Sequence, residues 1–232
     1  MIPTAPTQVM SGLVGAILHP EPRSALVIGL GTGSSAGWLA AVDGMRAVDV
    51  VELEPAIRRV AEECSPVNRD VLARRSVRLV IADGREYLLT ADRRWDLIFS
   101  EPSNPYRAGI ASLFTREFYR QVRERLAPDG VFCTQVSGAS HYLGRAVGSY
   151  TGSVFRTLSE VFSEIAIAPG DVQVFCASTA PIFSSTSSGR VSGARRMTAS
   201  APSTWFTPSA MASATRDGTA RYAAGMASSP AS

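Results

Sequence analysis

The chain contains no lysine, since all 23 of its basic residues are arginine. This excludes Schiff-base chemistry and the phosphate-binding lysine of a P-loop. Histidine occurs only at 19 and 141, and cysteine only at 64, 133 and 176, without C-x-x-C spacing, so no metal site is expected. The cysteines are odd in number, widely spaced and set among apolar residues, which predicts free, packed thiols in a reducing compartment. There is no charged leader followed by an apolar stretch, and no run approaches the ~18 apolar residues of a membrane span. The chain therefore reads as a soluble cytoplasmic protein with no membrane partner. A basic stripe with interleaved aromatics is also missing, so no nucleic-acid partner is expected. The net charge of +3 does not contradict this: residues 1–180 carry 18 Arg against 19 acids, and the excess lies in the five Arg against one Asp that follow.

What the sequence does have is a set of short apolar runs ending in glycines or acids, within 232 residues of which 45% are hydrophobic, enough for one α/β domain with a sizeable core. The sharpest is Leu26-Val27-Ile28-Gly29-Leu30-Gly31-Thr32-Gly33-Ser34, which reads as strand, tight turn and helix start. Glycines at 29, 31 and 33 let the backbone turn sharply and lie against a nucleotide-sized group at a helix N-terminus. Ahead of it, Val9, Met10, Leu13, Val14, Ile17 and Leu18 fall at helical spacing until His19-Pro20-Glu21-Pro22 breaks the pattern.

Strands are expected at 25–28, 47–53, 77–82, 95–100 and 131–136. Helices are expected from about Trp38, from Pro55 to about Cys64, over 86–89, from Phe114 to Leu126 and from about Leu143 to Phe162. Two last strands, 164–168 and 172–177, are separated by Pro169-Gly170-Asp171, a connection short enough only for a hairpin. Alternating strands and helices imply a mostly parallel sheet with ligands beyond the carboxyl ends of its strands. With the antiparallel terminal hairpin, this is the seven-stranded, Rossmann-like plan of class I S-adenosylmethionine-dependent methyltransferases. A nicotinamide domain would show GxGxxG, but position 34 is Ser. Residues 1–22 are a lead-in helix and turn and 23–180 the domain. Residues 181–232, with 12 Ser, 11 Ala and 6 Thr, read as a disordered tail. So abrupt a change of texture suggests that the chain leaves its ancestral sequence near residue 180, as a reading-frame error would cause.

Several acids fall where such a sheet places ligands. Glu54, 21 residues after Gly33, is expected to end the second strand and accept ribose hydroxyls, or else to stand at a helix N-terminus ahead of Pro55. Asp83, before Gly84, is placed either to accept from an adenine amino group or to cap the following helix. Glu101 ends the fourth strand ahead of a proline-rich loop, where a carboxylate can take a proton from a nucleophile or orient a substrate amine. Asn104, Tyr106 and Gln135 supply neutral hydrogen-bonding groups around the same cleft.

From Gln8 to Gln135 the chain resembles the spermidine synthases, the polyamine aminopropyltransferases, and more closely a divergent bacterial spermidine synthase-like branch. Gln8 and His19-Pro20-Glu21-Pro22 are similar to the family's lead-in helix and HPxP turn, and Gly29 to Gly33 to its GGGDG turn. Asp83-Gly84 looks like its DG pair, Ser112-Leu113-Phe114 and Tyr119 like its SLF and Y positions, and Gln135 falls on its Gln after the fifth strand. The resemblance implies a donor site for decarboxylated S-adenosylmethionine formed by Gln8, Gly29, Gly31, Thr32, Gly33, Glu54, Asp83 and Gly84. It further implies Glu101 as catalytic base, Asn104, Tyr106 and Gln135 at a small-molecule amine acceptor, no metal, and room for a homodimer.

The chain departs from the family where the polyamine is held. Thr32 stands in place of the GGGDG acid, Glu101-Pro102-Ser103-Asn104-Pro105 in place of DSSDP, and Thr7 in place of a substrate tyrosine; the family's small N-terminal β domain has no counterpart here. A diamine is a dication, and each carboxylate near it contributes a few kcal/mol when partly shielded from water. Weak or no activity toward putrescine is therefore expected. Two other readings follow: a methyltransferase using S-adenosylmethionine itself, whose NPPY loop Asn104-Pro105-Tyr106 resembles one proline short, and a non-catalytic nucleoside-binding module.

Overall fold

The computed structural model describes residues 4–102, 109–137, 146–168 and 172–182. The candidate substrate residues Asn104 and Tyr106, His141, the turn at 169–171 and the tail from 183 lie outside these, as does the side chain of Thr7. A helix α1 (Thr4–Leu18) leads into strand β1 (Ser24–Ile28), followed by α2 (Ser34–Leu39), β2 (Ala47–Glu52), α3 (Ile57–Glu63), α4 (Ser65–Asn68) and β3 (Val77–Ile81). The second half contains α5 (Gly84–Thr90), β4 (Trp95–Ser100), α6 (Arg116–Arg125), β5 (Leu126–Ser137), α7 (Ala146–Ser159), β6 (Glu164–Ala168) and β7 (Val172–Ser178).

The seven strands form one sheet in the order β3-β2-β1-β4-β5-β7-β6, parallel except for β7, which runs antiparallel to both β5 and β6. The strands read as continuous apolar runs because both faces of the sheet are covered. Val27, Val50, Phe99 and Cys133 pack under α1 and α2, while Leu26, Val51, Ile98 and Phe132 pack under α5, α6 and α7. Strand order reverses between β1 and β4, and the crevice at this switch point is where an open α/β sheet binds ligands.

Several boundaries differ from the sequence expectation, among them those of α2, β2 and β5. Helix α2 begins directly after Gly33 rather than near Trp38, because Gly33 is left-handed (φ 78°) and serves as its N-cap. Strand β2 ends at Glu52, two residues before Glu54. Strand β5 begins at Leu126, directly after α6, with an irregularity in its pairing to β4 between Trp95 and Leu97 that absorbs Pro128-Asp129-Gly130.

The expectation of three free thiols is corrected. Cys133 and Cys176 are joined by a disulfide, and Cys64 alone is free. The two lie 43 residues apart in sequence, but the antiparallel register of β5 and β7 sets them directly opposite, with Cα atoms 4.2 Å apart. Spacing along the chain carries no trace of that pairing. Among the described residues no helix is long and apolar enough to cross a membrane, and no cluster of three potential metal ligands occurs.

Candidate active site

The glycine turn leaves β1 at the switch point with positive φ at Gly29 (99°), Gly31 (51°) and Gly33 (78°). A Cβ at Gly33 would lie 2.7 Å from Val71 Cγ1, whereas one at Gly31 would meet none of the described residues within 4 Å. Gly33 is thus a packing requirement, and Gly31 leaves the backbone open, among the described residues, to the approach of a ligand. The turn is held from below by the fully buried Asn68, whose Nδ2 donates to the carbonyls of Thr32 (2.8 Å) and Ala61 (2.7 Å), and whose Oδ1 accepts from Val71 N (3.3 Å).

The carboxylate that touches the turn is Glu52. Its Oε2 accepts from Leu30 N (2.8 Å) and its Oε1 from Glu54 N (3.0 Å). Glu54 is exposed, and its Oε1 accepts from Ala56 N (3.1 Å) at the head of α3, the helix-start role that was one of its two sequence readings. Sequence reasoning missed Glu52 because it ran the strand through Leu53. The pairing of Ile28 with Val51, continued by Gly29 N donating to Val51 O (2.8 Å), is the register that would have identified it. Between the two acids, Leu53 is 68% exposed, an apolar surface at the mouth of the site.

Asp83 caps α5, its Oδ1 accepting from Arg85 N (2.7 Å) and Glu86 N (3.3 Å). Gly84 is required for close packing, since a Cβ there would lie 2.6 Å from Ile28 Cγ2. Ala82 N donates to Glu52 O (3.0 Å), which brings the carboxyl ends of β2 and β3 together and Asp83 beside Glu52 and Leu53.

On the other side of the turn, α1 brings Gln8 to Thr32. The Thr32 hydroxyl donates to Gln8 Oε1 (3.1 Å) and lies 3.0 Å from Ser34 Oγ, a chain of neutral groups with no carboxylate in it. Glu101 follows β4, its N–H bonded to Ile28 O (3.0 Å). Its Oε2 accepts from Ser35 Oγ (2.8 Å). Burial pushes the Glu101 carboxyl up to about 7, and the Ser35 bond partly opposes that rise by favouring the charged form. The pairing of Ser100 with Thr134 carries Gln135 to the level of Glu101 in the adjacent strand; Gln135 Oε1 is buried without a hydrogen-bond partner among the described residues. Gln8, the glycine turn, Asp83, Glu101 and Gln135 therefore share the carboxyl edge of the sheet. Ser35, Glu52 and Asn68 are the residues the sequence reading did not single out.

The family model for the spermine/spermidine synthase domain matches residues 6–180. The chain belongs to this family. It is 28% identical over 156 residues to a polyamine aminopropyltransferase of Thermococcus kodakarensis, covering 64% of this chain and 52% of that protein. It is 30% identical over 162 residues to one of Synechococcus, covering 65% and 51%. A thermospermine synthase of Arabidopsis thaliana matches at 24% over 151 residues, covering 64% of this chain and 44% of that protein. The chain spans about half the length of the curated relatives it matches. Its fold is shared with a spermidine synthase crystallised with the transition-state analogue AdoDATO (TM-score 0.67, 22% identity, 78% of this chain and 64% of that one). It is also shared with human methyltransferase-like protein 13 in complex with SAH (TM-score 0.56, 21% identity, 75% and 80%). The spermidine synthase-like chain thus has the Rossmann-like, S-adenosylmethionine-dependent fold expected from its sequence.

Proposed function

We propose that this spermidine synthase-like chain is a transferase that binds an S-adenosyl donor along the glycine turn and moves an aminopropyl group from decarboxylated S-adenosylmethionine to a small amine. In this reading Glu52, rather than Glu54, accepts the ribose hydroxyls, because its carboxylate already faces the turn. Asp83 faces the base edge, Leu53 supplies an apolar surface for the base, and Gly31 leaves room for the nucleoside backbone. The amine is assigned to Gln135 and, from the sequence alone, to Asn104 and Tyr106.

The donor's sulfonium is already an activated leaving group, so the protein need only align the amine and remove its proton. The amine nitrogen forms a bond to the carbon beside sulfur as the C–S bond breaks and its electron pair returns to sulfur; the amine proton passes to Glu101. The observation that carries this reading is Glu101 itself. It is a partly buried carboxyl at the switch point, raised to about 7, where a base can both accept and release a proton near neutral pH.

Thr32 favours a second reading. Its hydroxyl is bonded to Gln8 and Ser34, so the turn offers a donor's tail no negative charge. S-adenosylmethionine, which keeps its carboxylate, would suit that neutral turn in a methyl transfer. Isothermal titration with methylthioadenosine and with each donor tests both readings. Binding that falls at least about tenfold in Glu52→Ala and little in Glu54→Ala is expected; absence of binding by every S-adenosyl compound would overturn them. Tighter binding of the carboxylate-bearing donor would select the methyltransferase.

A further inference from the structure

The Ser35 hydroxyl lies 2.8 Å from Glu101 Oε2 and 3.0 Å from the main-chain oxygen of Gln8. A hydroxyl has one hydrogen, so when Glu101 is ionised Ser35 can donate to only one of these two acceptors. When Glu101 carries a proton, the carboxyl can donate to Ser35 Oγ, and the serine hydrogen is then free for the Gln8 carbonyl. On ionisation the serine hydrogen turns to the carboxylate, and the Gln8 carbonyl keeps its place in the hydrogen-bond ladder of α1. Both arrangements leave Ser35 Oγ, Glu101 Oε2 and the Gln8 carbonyl with a partner without moving a heavy atom.

Ser35 is also closely packed. Ser35 is 3% exposed in the first turn of α2, and α1 crosses it at Gly12, where a Cβ would lie 2.9 Å from Ser35 O and 3.1 Å from Ser35 Cβ. We propose that Ser35 is a positioning residue for Glu101, turning its single hydrogen between the carboxylate and the Gln8 carbonyl so that the carboxyl stays in one place in both of its charge states. The inference rests on the reading of Glu101 as proton acceptor, since such a group must pass through both states in every turnover.

Among the described residues, Glu101 Oε2 is met by Ser35 of α2, which in turn meets the Gln8 carbonyl of α1, while Gly29 of the turn lies against the Glu101 main-chain oxygen and Gln135 stands at its level in β5; all four are uncharged. Burial and Ser35 are the causes acting on its proton affinity, in opposite directions. Removing the serine hydroxyl therefore leaves burial unopposed, and the carboxyl should hold its proton to higher pH.

The test is a carbon-13 NMR titration of the glutamate carboxyl groups in the full chain without any donor, with the Glu101 signal assigned by its loss in Glu101→Gln. In Ser35→Ala the midpoint should lie above that of the parent, so that the ionised fraction at pH 7 drops below the parent's. Ser34→Ala removes an equally buried neighbouring hydroxyl that bonds Thr32 instead, and should leave the midpoint where it is. An unchanged or lowered midpoint in Ser35→Ala would overturn the proposal, as would an equal shift in Ser34→Ala. The titration needs no ligand, so its failure is distinct from a failure of donor binding in calorimetry.

Discussion

Replacing Glu101 by Gln should make the protein more stable, and increasingly so as the pH rises. The folded protein holds the Glu101 proton up to about 7, whereas an exposed glutamate releases it near 4.5. Between those values the folded state binds more protons than the unfolded chain, so stability is lost as pH rises through the window; the loss is absent well below 4.5 and complete above 7. A rise of that size corresponds to about 3 kcal/mol at full ionisation, most of which develops between pH 5 and pH 8. A glutamine keeps the shape and can still accept from Ser35, but never ionises. Urea unfolding of the parent and of Glu101→Gln at the two pH values isolates this contribution, because every other titrating group is common to both proteins. The variant should gain on the parent by roughly 2 to 3 kcal/mol from the lower to the higher pH. An equal difference at both pH values, or a parent that gains on the variant at pH 8, would refute the assignment of burial as the dominant influence on Glu101.

Asn68→Ala should destabilise by about 3 kcal/mol in chemical denaturation, since it removes three hydrogen bonds from a fully buried site and leaves the carbonyls of Thr32 and Ala61 short of a donor. Reduction of the Cys133–Cys176 bond should lower stability by about 4 kcal/mol on the chain-entropy account of a loop closed across 43 residues, read as a lower melting temperature in reductant. Thiol titration of the denatured, unreduced chain should find one thiol, Cys64, rather than three.

The sheet was legible because its strands are consecutive apolar runs punctuated by glycine, acid or proline, and because a three-residue gap before β7 permits only an antiparallel return. The glycine turn was legible for the same local reason. What escaped the sequence depends on contacts between segments distant in the chain. Glu52 and Glu54 are indistinguishable until the register of β1 with β2 shows which one reaches Leu30. Asn68 is an ordinary polar residue until three hydrogen bonds tie it beneath the turn. Ser35 becomes informative only once α1 and β4 meet at it. The cysteine pairing failed for the same reason, since two residues in separate strands become neighbours through sheet order alone.

The neutrality of the turn bears on which donor the site would discriminate. Two unit charges about 4 Å apart at the effective dielectric of a protein surface interact by roughly 4 kcal/mol, which is of the order of a hundred- to a thousandfold in affinity. A donor whose tail carries only an ammonium would lose an attraction of that order where Thr32 stands in place of an acid, because the threonine hydroxyl is bonded between Gln8 and Ser34 and brings no charge of its own. A donor whose tail also carries a carboxylate would lose less, since an acid at that position would have attracted one group and repelled the other. The nucleoside half of either donor would meet the same Glu52, Leu53, Asp83 and open Gly31. On the proposed reading the substitution at Thr32 would therefore act as a filter on the tail rather than a general weakening of the site. It would leave Glu101, held by Ser35, available to accept a proton with whichever donor binds.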